Sequence, residues 1–118
     1  QDIVAKYDSA FSGKSFLQPL VKTAHSNPAW HLYVLLIDFE ALGKTRTQVM
    51  TELKERGIGT QVHYIPVYKQ PYYRELYGDI HLEGAEAFYS QCLSIPLYVG
   101  LSSENTDYVI ESILDLCA

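Results

Sequence analysis

Apolar positions along this chain follow two rhythms, a helical one of about 3.6 residues and a strand-like one of two, and their succession lays out the elements. Ile3, Val4, Tyr7 and Phe11 recur at helical spacing, and Gly13 stands where a C-terminal cap belongs, so a helix is under way at residue 1 or 2. The expectation is of a piece that starts inside a helix of a longer protein. From Lys14 to Ala29 periodicity is weak, and Pro19, Asn27 and Pro28 predict an irregular stretch. Trp30–Asp38 is an almost unbroken apolar run rich in β-branched and aromatic residues, which predicts a central strand buried on both faces.

Thr45 and Gln48 form a T-x-x-Q capping box, with Val49, Met50 and Leu53 as one apolar stripe and Gly57 as terminator. A helix over 45–56 follows. Ile58–Tyr64 predicts a second strand, although polar and apolar residues are poorly separated between its two faces. Pro66 and Pro71 bracket an irregular segment, and Tyr72–Tyr77 fits a short helical turn before Gly78. Glu83–Cys92 predicts a helix with Ala87 and Phe88 inward, and Ser94–Leu97 a short strand. Ser102–Cys117 predicts a closing helix, capped by Ser102 or Ser103, with Val109, Ile113 and Leu116 buried. The order of elements describes an α/β fold, a small α+β sandwich in which helices cover one face of a short-stranded sheet.

Composition adds mainly exclusions. A chain of 118 residues with 47% apolar side chains is long enough for one self-supporting core, burying roughly two thirds of the surface its unfolded form would expose. Nine basic and fourteen acidic residues give a net charge of −5, with no block of Lys and Arg, which argues against nucleic-acid and anionic-membrane partners. The longest apolar run, Trp30–Ile37, falls well short of the ~18 residues that cross a bilayer. Residues 1–11 resemble neither a secretory signal nor a transit peptide, so the expected compartment is the cytoplasm. Cys92 and Cys117 are too far apart for a CxxC unit and are expected to be reduced packing residues.

Familiar catalytic fingerprints are missing. Gly57-Ile58-Gly59 lacks the further glycine of a dinucleotide loop, and the chain contains no GxxxxGK[ST], HExxH or GxSxG. His25, His31, His63 and His81 form no i, i+4 ligand pair, so no metal is expected. The segment from Gln61 to Arg74 stands out because it carries Tyr64, Tyr68, Tyr72 and Tyr73 beside His63, Lys69 and Arg74. Tyrosine offers a rigid apolar ring with a hydroxyl for stacking and edge hydrogen bonds, and nearby cations suit phosphate. The same residues would also serve as ordinary packing under a proline-braced loop, or as the surface of an autonomous small-molecule-binding or protein-interaction module.

Taken together, several strings are recognisable: Trp30-His31-Leu32-Tyr33-Val34, Glu55-Arg56-Gly57-Ile58-Gly59-Thr60-Gln61-Val62-His63-Tyr64-Ile65-Pro66-Val67, Gln70-Pro71-Tyr72-Tyr73, Ala85-Glu86-Ala87-Phe88-Tyr89 and Cys92-Leu93-Ser94-Ile95-Pro96-Leu97-Tyr98-Val99-Gly100-Leu101. In this order they resemble the C-terminal small domain of DegT/DnrJ/StrS-type sugar-nucleotide aminotransferases over nearly the whole chain. The Thr60–Pro66 string is most similar to the branch that aminates UDP-4-keto-6-deoxy-N-acetylhexosamines for pseudaminic acid.

The resemblance implies a fold type I homodimer using pyridoxal 5'-phosphate (PLP), with L-glutamate as amino donor and a UDP-sugar as acceptor. It makes residues 1–118 a single small domain and residues 1–12 the end of a helix leading from a PLP-binding large domain. Lys6, Lys14, Lys22, Lys44, Lys54 and Lys69 do not match the family's cofactor lysine, so the chain alone is expected to be inactive and to bind no PLP. His63 and Tyr64 match the pair that approaches the sugar nucleotide, and Tyr68 and Lys69 complete the expected substrate-binding set. Many members have histidine at the position of Tyr68, so the contact around Tyr68 and Lys69 departs from the family pattern. A severed domain is also expected to self-associate through apolar surface on its first helix and on the 61–74 loop.

Overall fold

A computed structural model describes residues 2–118. It contains a three-stranded antiparallel sheet in the order β1-β2-β3: β1 is Leu17–Pro19, β2 Tyr33–Ile37 and β3 Cys92–Ile95. Six α-helices accompany it: α1 Asp2–Phe11, α2 Phe39–Leu42, α3 Arg46–Glu55, α4 Pro71–Tyr77, α5 Glu83–Gln91 and α6 Ser103–Leu116. A 3-10 turn spans Val67–Lys69. Gln1, where the sequence reading allows the first helix to be already under way, lies outside the described residues.

The register sorts the sheet's side chains into two faces. Leu17 pairs with Ile37, Tyr33 with Ile95 and Leu35 with Leu93, so these six share one face. All six are buried against Val4, Tyr7 and Phe11 of α1, Val49 and Leu53 of α3, and Val109, Ile110, Ile113 and Leu116 of α6. This is the core, and it occupies one side of the sheet, as the sandwich reading anticipates. Val34 and Leu36 on the opposite face are half-buried, so β2 is central but is not buried equally on both faces.

Polar tips inside the core are satisfied. Tyr7, wholly buried, donates its hydroxyl to the Pro96 carbonyl at 2.8 Å, and Tyr33 donates to Asp8 Oδ1 at 2.6 Å. The two rings meet at 4.8 Å between centroids, and Tyr7 also stacks on Phe11 at 5.8 Å. Cys92 and Cys117 are free thiols packed in the interior. Local capping is equally legible: Thr45 Oγ1 accepts from the Gln48 amide while Gln48 Oε1 accepts from the Thr45 amide, completing the box that starts α3. Ser102 caps α6 by accepting from the Asn105 amide.

Four further expectations change. Ile58–Tyr64 is not a strand: Gln61 alone pairs there, in an isolated bridge to Ser94. The left-handed Gly57 (φ 78°) ends the turn after α3 and sends Ile58 into the core, and two glycines beside it weaken any extended pairing. Leu17–Pro19, expected to be irregular, is an edge strand, where proline is tolerated because its missing N–H costs no ladder bond on the open side. The third strand is Cys92–Ile95, stopping before Pro96 rather than running to Leu97. Finally, Ala87 is exposed and Phe88 only half-buried, because α5 buries none of its side chains in the core.

Candidate functional site

The sequence-selected residues fall into two groups, and the second face of the sheet holds the first, His63 with Tyr64. Val34 pairs with Ser94 and Leu36 with Cys92, which places all four on the side away from the core. The chain between Gly59 and His63 crosses this edge, held by two backbone bonds to one strand residue: the Gln61 amide donates to the Ser94 carbonyl at 3.1 Å, and the Ser94 amide donates to the Gln61 carbonyl at 2.8 Å. Two residues later His63 returns to the same place, its Nδ1 2.7 Å from Ser94 Oγ. Ser94 is 5% exposed beneath it. Tyr64 follows with its ring edge-on to the imidazole at 4.6 Å between centroids, and 71% of its surface is exposed. The pair is therefore anchored on one side and open on the other.

Tyr68 and Lys69 sit on the 3-10 turn and converge on one carboxylate of α5. Tyr68 donates its hydroxyl to Glu86 Oε1 at 2.8 Å, and Lys69 Nζ lies 2.5 Å from Glu86 Oε2. The bond from Lys69, with that from Tyr68 second, holds the Glu86 carboxyl below the usual carboxylate range. Desolvation first, and then the Glu86 bond, pushes the Tyr68 phenol upward. Lys69 also lies 5.5 Å from the centre of the Tyr89 ring, which Arg46 approaches at 4.7 Å while donating to the Tyr89 carbonyl. Arg74 is paired with Asp79 at 2.8 Å.

The cations of the 61–74 segment are thus engaged with carboxylates rather than left bare for phosphate, because α5 brings Glu86 alongside the turn. Beside them an open cleft of about 420 Å³ is lined by Tyr68, Lys69, Arg74, Asp79 and Ile80. Ser94, Glu86, Arg46 and Tyr89 were absent from the sequence-level site. Their partners are 17 to 46 residues away along the chain, and no local motif connects them.

Beyond the turn the surface is apolar. Every residue from Pro71 to Ile80 is exposed, and Tyr64, Val67, Tyr72, Leu76 and Tyr77 are each more than half open. The first helix contributes no such patch: α1 turns Val4, Tyr7 and Phe11 into the core, so the expected apolar surface is confined to the loop and α4. A separate cleft of about 520 Å³ lies among Gly57, Gly59, Pro96, Tyr98, Asn105 and Tyr108.

The lysines do not assemble a cofactor site. Lys6 pairs with Asp107, Lys44 with Glu52 and Lys69 with Glu86, while Lys14, Lys22 and Lys54 are exposed. A PLP lysine needs an amine shielded from water beside a phosphate cradle and a carboxylate for the ring nitrogen. None of these six fits that description. Among the described residues no helix is long and apolar enough to cross a membrane.

Comparison with known proteins agrees with the fold. Residues 1–114 match the DegT/DnrJ/EryC1/StrS aminotransferase family. The spore coat polysaccharide biosynthesis protein SpsC of Bacillus subtilis is 38% identical over 120 residues, covering 98% of this chain and 31% of that protein. Helicobacter pylori PseC, described as an aminotransferase involved in the biosynthesis of pseudoaminic acid, superposes with a TM-score of 0.87 at 28% identity, covering 98% of this chain and 31% of PseC. The PLP form of the sugar aminotransferase Spr1654 of Streptococcus pneumoniae, itself described as putative, superposes with a TM-score of 0.85 at 34% identity over 98% of this chain and 30% of its own. The chain therefore spans about a third of the length of these relatives. On this match, running through nearly every element of the fold, the chain belongs to the DegT/DnrJ/EryC1/StrS aminotransferase family.

Proposed function

We propose that residues 1–118 are the small domain of a cytoplasmic, homodimeric, PLP-dependent sugar-nucleotide aminotransferase, and that residues 1–12 end the helix leading from its PLP-binding large domain. The parent enzyme transfers the amino group of L-glutamate to the C4 ketone of a UDP-4-keto-6-deoxy-N-acetylhexosamine, leaving 2-oxoglutarate and a 4-amino sugar for a cell-surface glycan. The cofactor, held by the large domain, supplies the amine-carrying chemistry. The present chain supplies grip: His63 and Tyr64 approach the sugar nucleotide, with Tyr68 and Lys69 flanking it, and the chain is not catalytic alone.

One observation carries the reading. The His63–Tyr64 pair, in the string that most resembles the UDP-sugar branch, is anchored on the sheet face opposite the core and left open there. Holding the keto carbon in place against the reacting amine is worth several kcal/mol of barrier, on the order of the ~7–11 kcal/mol that well-oriented intramolecular reactions reach. The similarity to PseC, an aminotransferase involved in the biosynthesis of pseudoaminic acid, supports the sugar class. The relation to a spore coat polysaccharide protein supports glycan synthesis more broadly.

The test is turnover. The complete polypeptide, given a UDP-4-keto-6-deoxy-N-acetylhexosamine and L-glutamate, is expected to release 2-oxoglutarate, and the 118-residue chain with added PLP is expected to release none. Conversion by the short chain alone would end the reading. So would a complete enzyme that aminates dTDP-linked keto sugars and ignores UDP-linked ones.

A further inference from the structure

Ser94 is tied to the 61–63 segment three times, by its amide, its carbonyl and its hydroxyl. The first two bonds fix where the segment lies. The third decides what His63 offers to a ligand. Ser94 Oγ lies in a strand position 5% exposed, and its one hydrogen-bond partner among the described residues is His63 Nδ1. A hydroxyl carries one hydrogen to donate and two lone pairs that accept. If Nδ1 bore the imidazole proton, Ser94 would have to accept it, and its own hydrogen would be left without a protein partner at a nearly buried position. Leaving a buried donor unpaired costs more than leaving a lone pair unused. The economical arrangement is the reverse one.

We infer that Ser94 is a positioning residue whose hydroxyl donates to Nδ1 and holds His63 as the Nε2–H tautomer. The ring plane is then set from one side by this bond and from the other by the Tyr64 ring at 4.6 Å. Nε2, which has no protein partner among the described residues, faces a ligand as a hydrogen-bond donor and not as a base. Its complement is an acceptor oxygen, such as those of the phosphates or the sugar hydroxyls. This assignment takes its ligand from the function proposed above, while the tautomer itself rests on the Ser94 geometry alone.

The experiment is a two-bond ¹H–¹⁵N correlation of the imidazoles in the ¹⁵N-labelled 118-residue chain at about pH 8, above the ordinary imidazole range. His63→Gln identifies the His63 signals among the four histidines. The expected spectrum has a pyridine-like Nδ1 and a pyrrole-like Nε2 in the unaltered chain. Ser94→Ala should show both tautomers in exchange, and Ser94→Thr, which keeps a hydroxyl, should restore the single form. A pyrrole-like Nδ1 in the unaltered chain overturns the inference whether or not any variant folds. So does a Ser94→Ala chain with intact backbone amide signals and an unchanged imidazole. Binding of UDP-N-acetylglucosamine to the complete enzyme separates the two questions: an affinity that His63→Gln leaves unchanged counts against the sugar-nucleotide reading and leaves the tautomer result standing.

Discussion

Tyr7→Phe tests the coupling between α1 and the segment that follows β3. The Tyr7 ring is fully enclosed, and its hydroxyl donates to the Pro96 carbonyl at 2.8 Å. Phenylalanine keeps the ring and its contacts with Phe11 and Tyr33 while orphaning that carbonyl. The expected loss at neutral pH is about 1–2 kcal/mol, from a net hydrogen bond of ~1 kcal/mol plus part of the cost of an unsatisfied buried acceptor. Burial, with a smaller contribution from the Tyr98 phenol, pushes the Tyr7 hydroxyl up to about 12.

A raised folded-state value means that the unfolded chain loses this proton first. The stabilisation is complete below the ordinary tyrosine value of ~10 and drains away as pH climbs toward 12. At ~1.4 kcal/mol per unit, the native chain forfeits roughly 1.4 kcal/mol by pH 11 through this one group, a loss the variant does not share. Urea melts from pH 7 to 11.5 should therefore begin with the variant about 1–2 kcal/mol weaker and end with the two curves meeting near pH 11. Curves that stay parallel across that range would show that the Tyr7 hydroxyl is not held as described.

Leu35→Ala, at the centre of β2 with no exposed surface, should cost about 2–5 kcal/mol by calorimetry or urea melts, since it opens a cavity where α1, α3 and α6 meet the sheet. Glu86 titrates below the usual range, so its grip on Tyr68 and Lys69 should be complete above about pH 4.5 and fail as pH falls through its folded value. Protection of the amides of residues 67–70, taken relative to the intrinsic exchange rate at each pH, should fall there in the native chain and be low at every pH in Glu86→Gln. The exposed tyrosines and leucine of the 64–77 segment should drive self-association of the 118-residue chain, which Tyr72→Ser combined with Leu76→Ser should suppress in sedimentation velocity. A chain that stays monomeric at high concentration contradicts this.

What was legible in the sequence was what is decided locally. The Thr45–Gln48 box, the stripe of Val109, Ile113 and Leu116, and the β-branched and aromatic run around Leu35 each depend on neighbours within a turn or two, and each appears where its pattern places it. The three-residue edge strand at Leu17 was invisible because its pairing partner, not its composition, makes it a strand. The Ile58–Tyr64 segment erred the other way: its composition suits a strand, but Gln61 alone finds a partner.

The site followed the same division. His63 and Tyr64 were found by motif, whereas Ser94 beneath them and Glu86 beside Lys69 depend on sheet register and on the path of α5. The engagement of Lys69 by Glu86 in particular reverses the simple reading of a basic loop waiting for phosphate. Any phosphate contact by Lys69 must share that cation with Glu86.

In the function proposed above, the open face around His63 holds the sugar nucleotide. A crystal structure of the complete enzyme with a UDP-N-acetylhexosamine bound is expected to show ligand oxygen within hydrogen-bonding distance of His63 Nε2 and the sugar or nucleotide against Tyr64. A sugar nucleotide seated elsewhere, for instance in the cleft between Gly59 and Tyr108, with His63 and Tyr64 free of it, would contradict it.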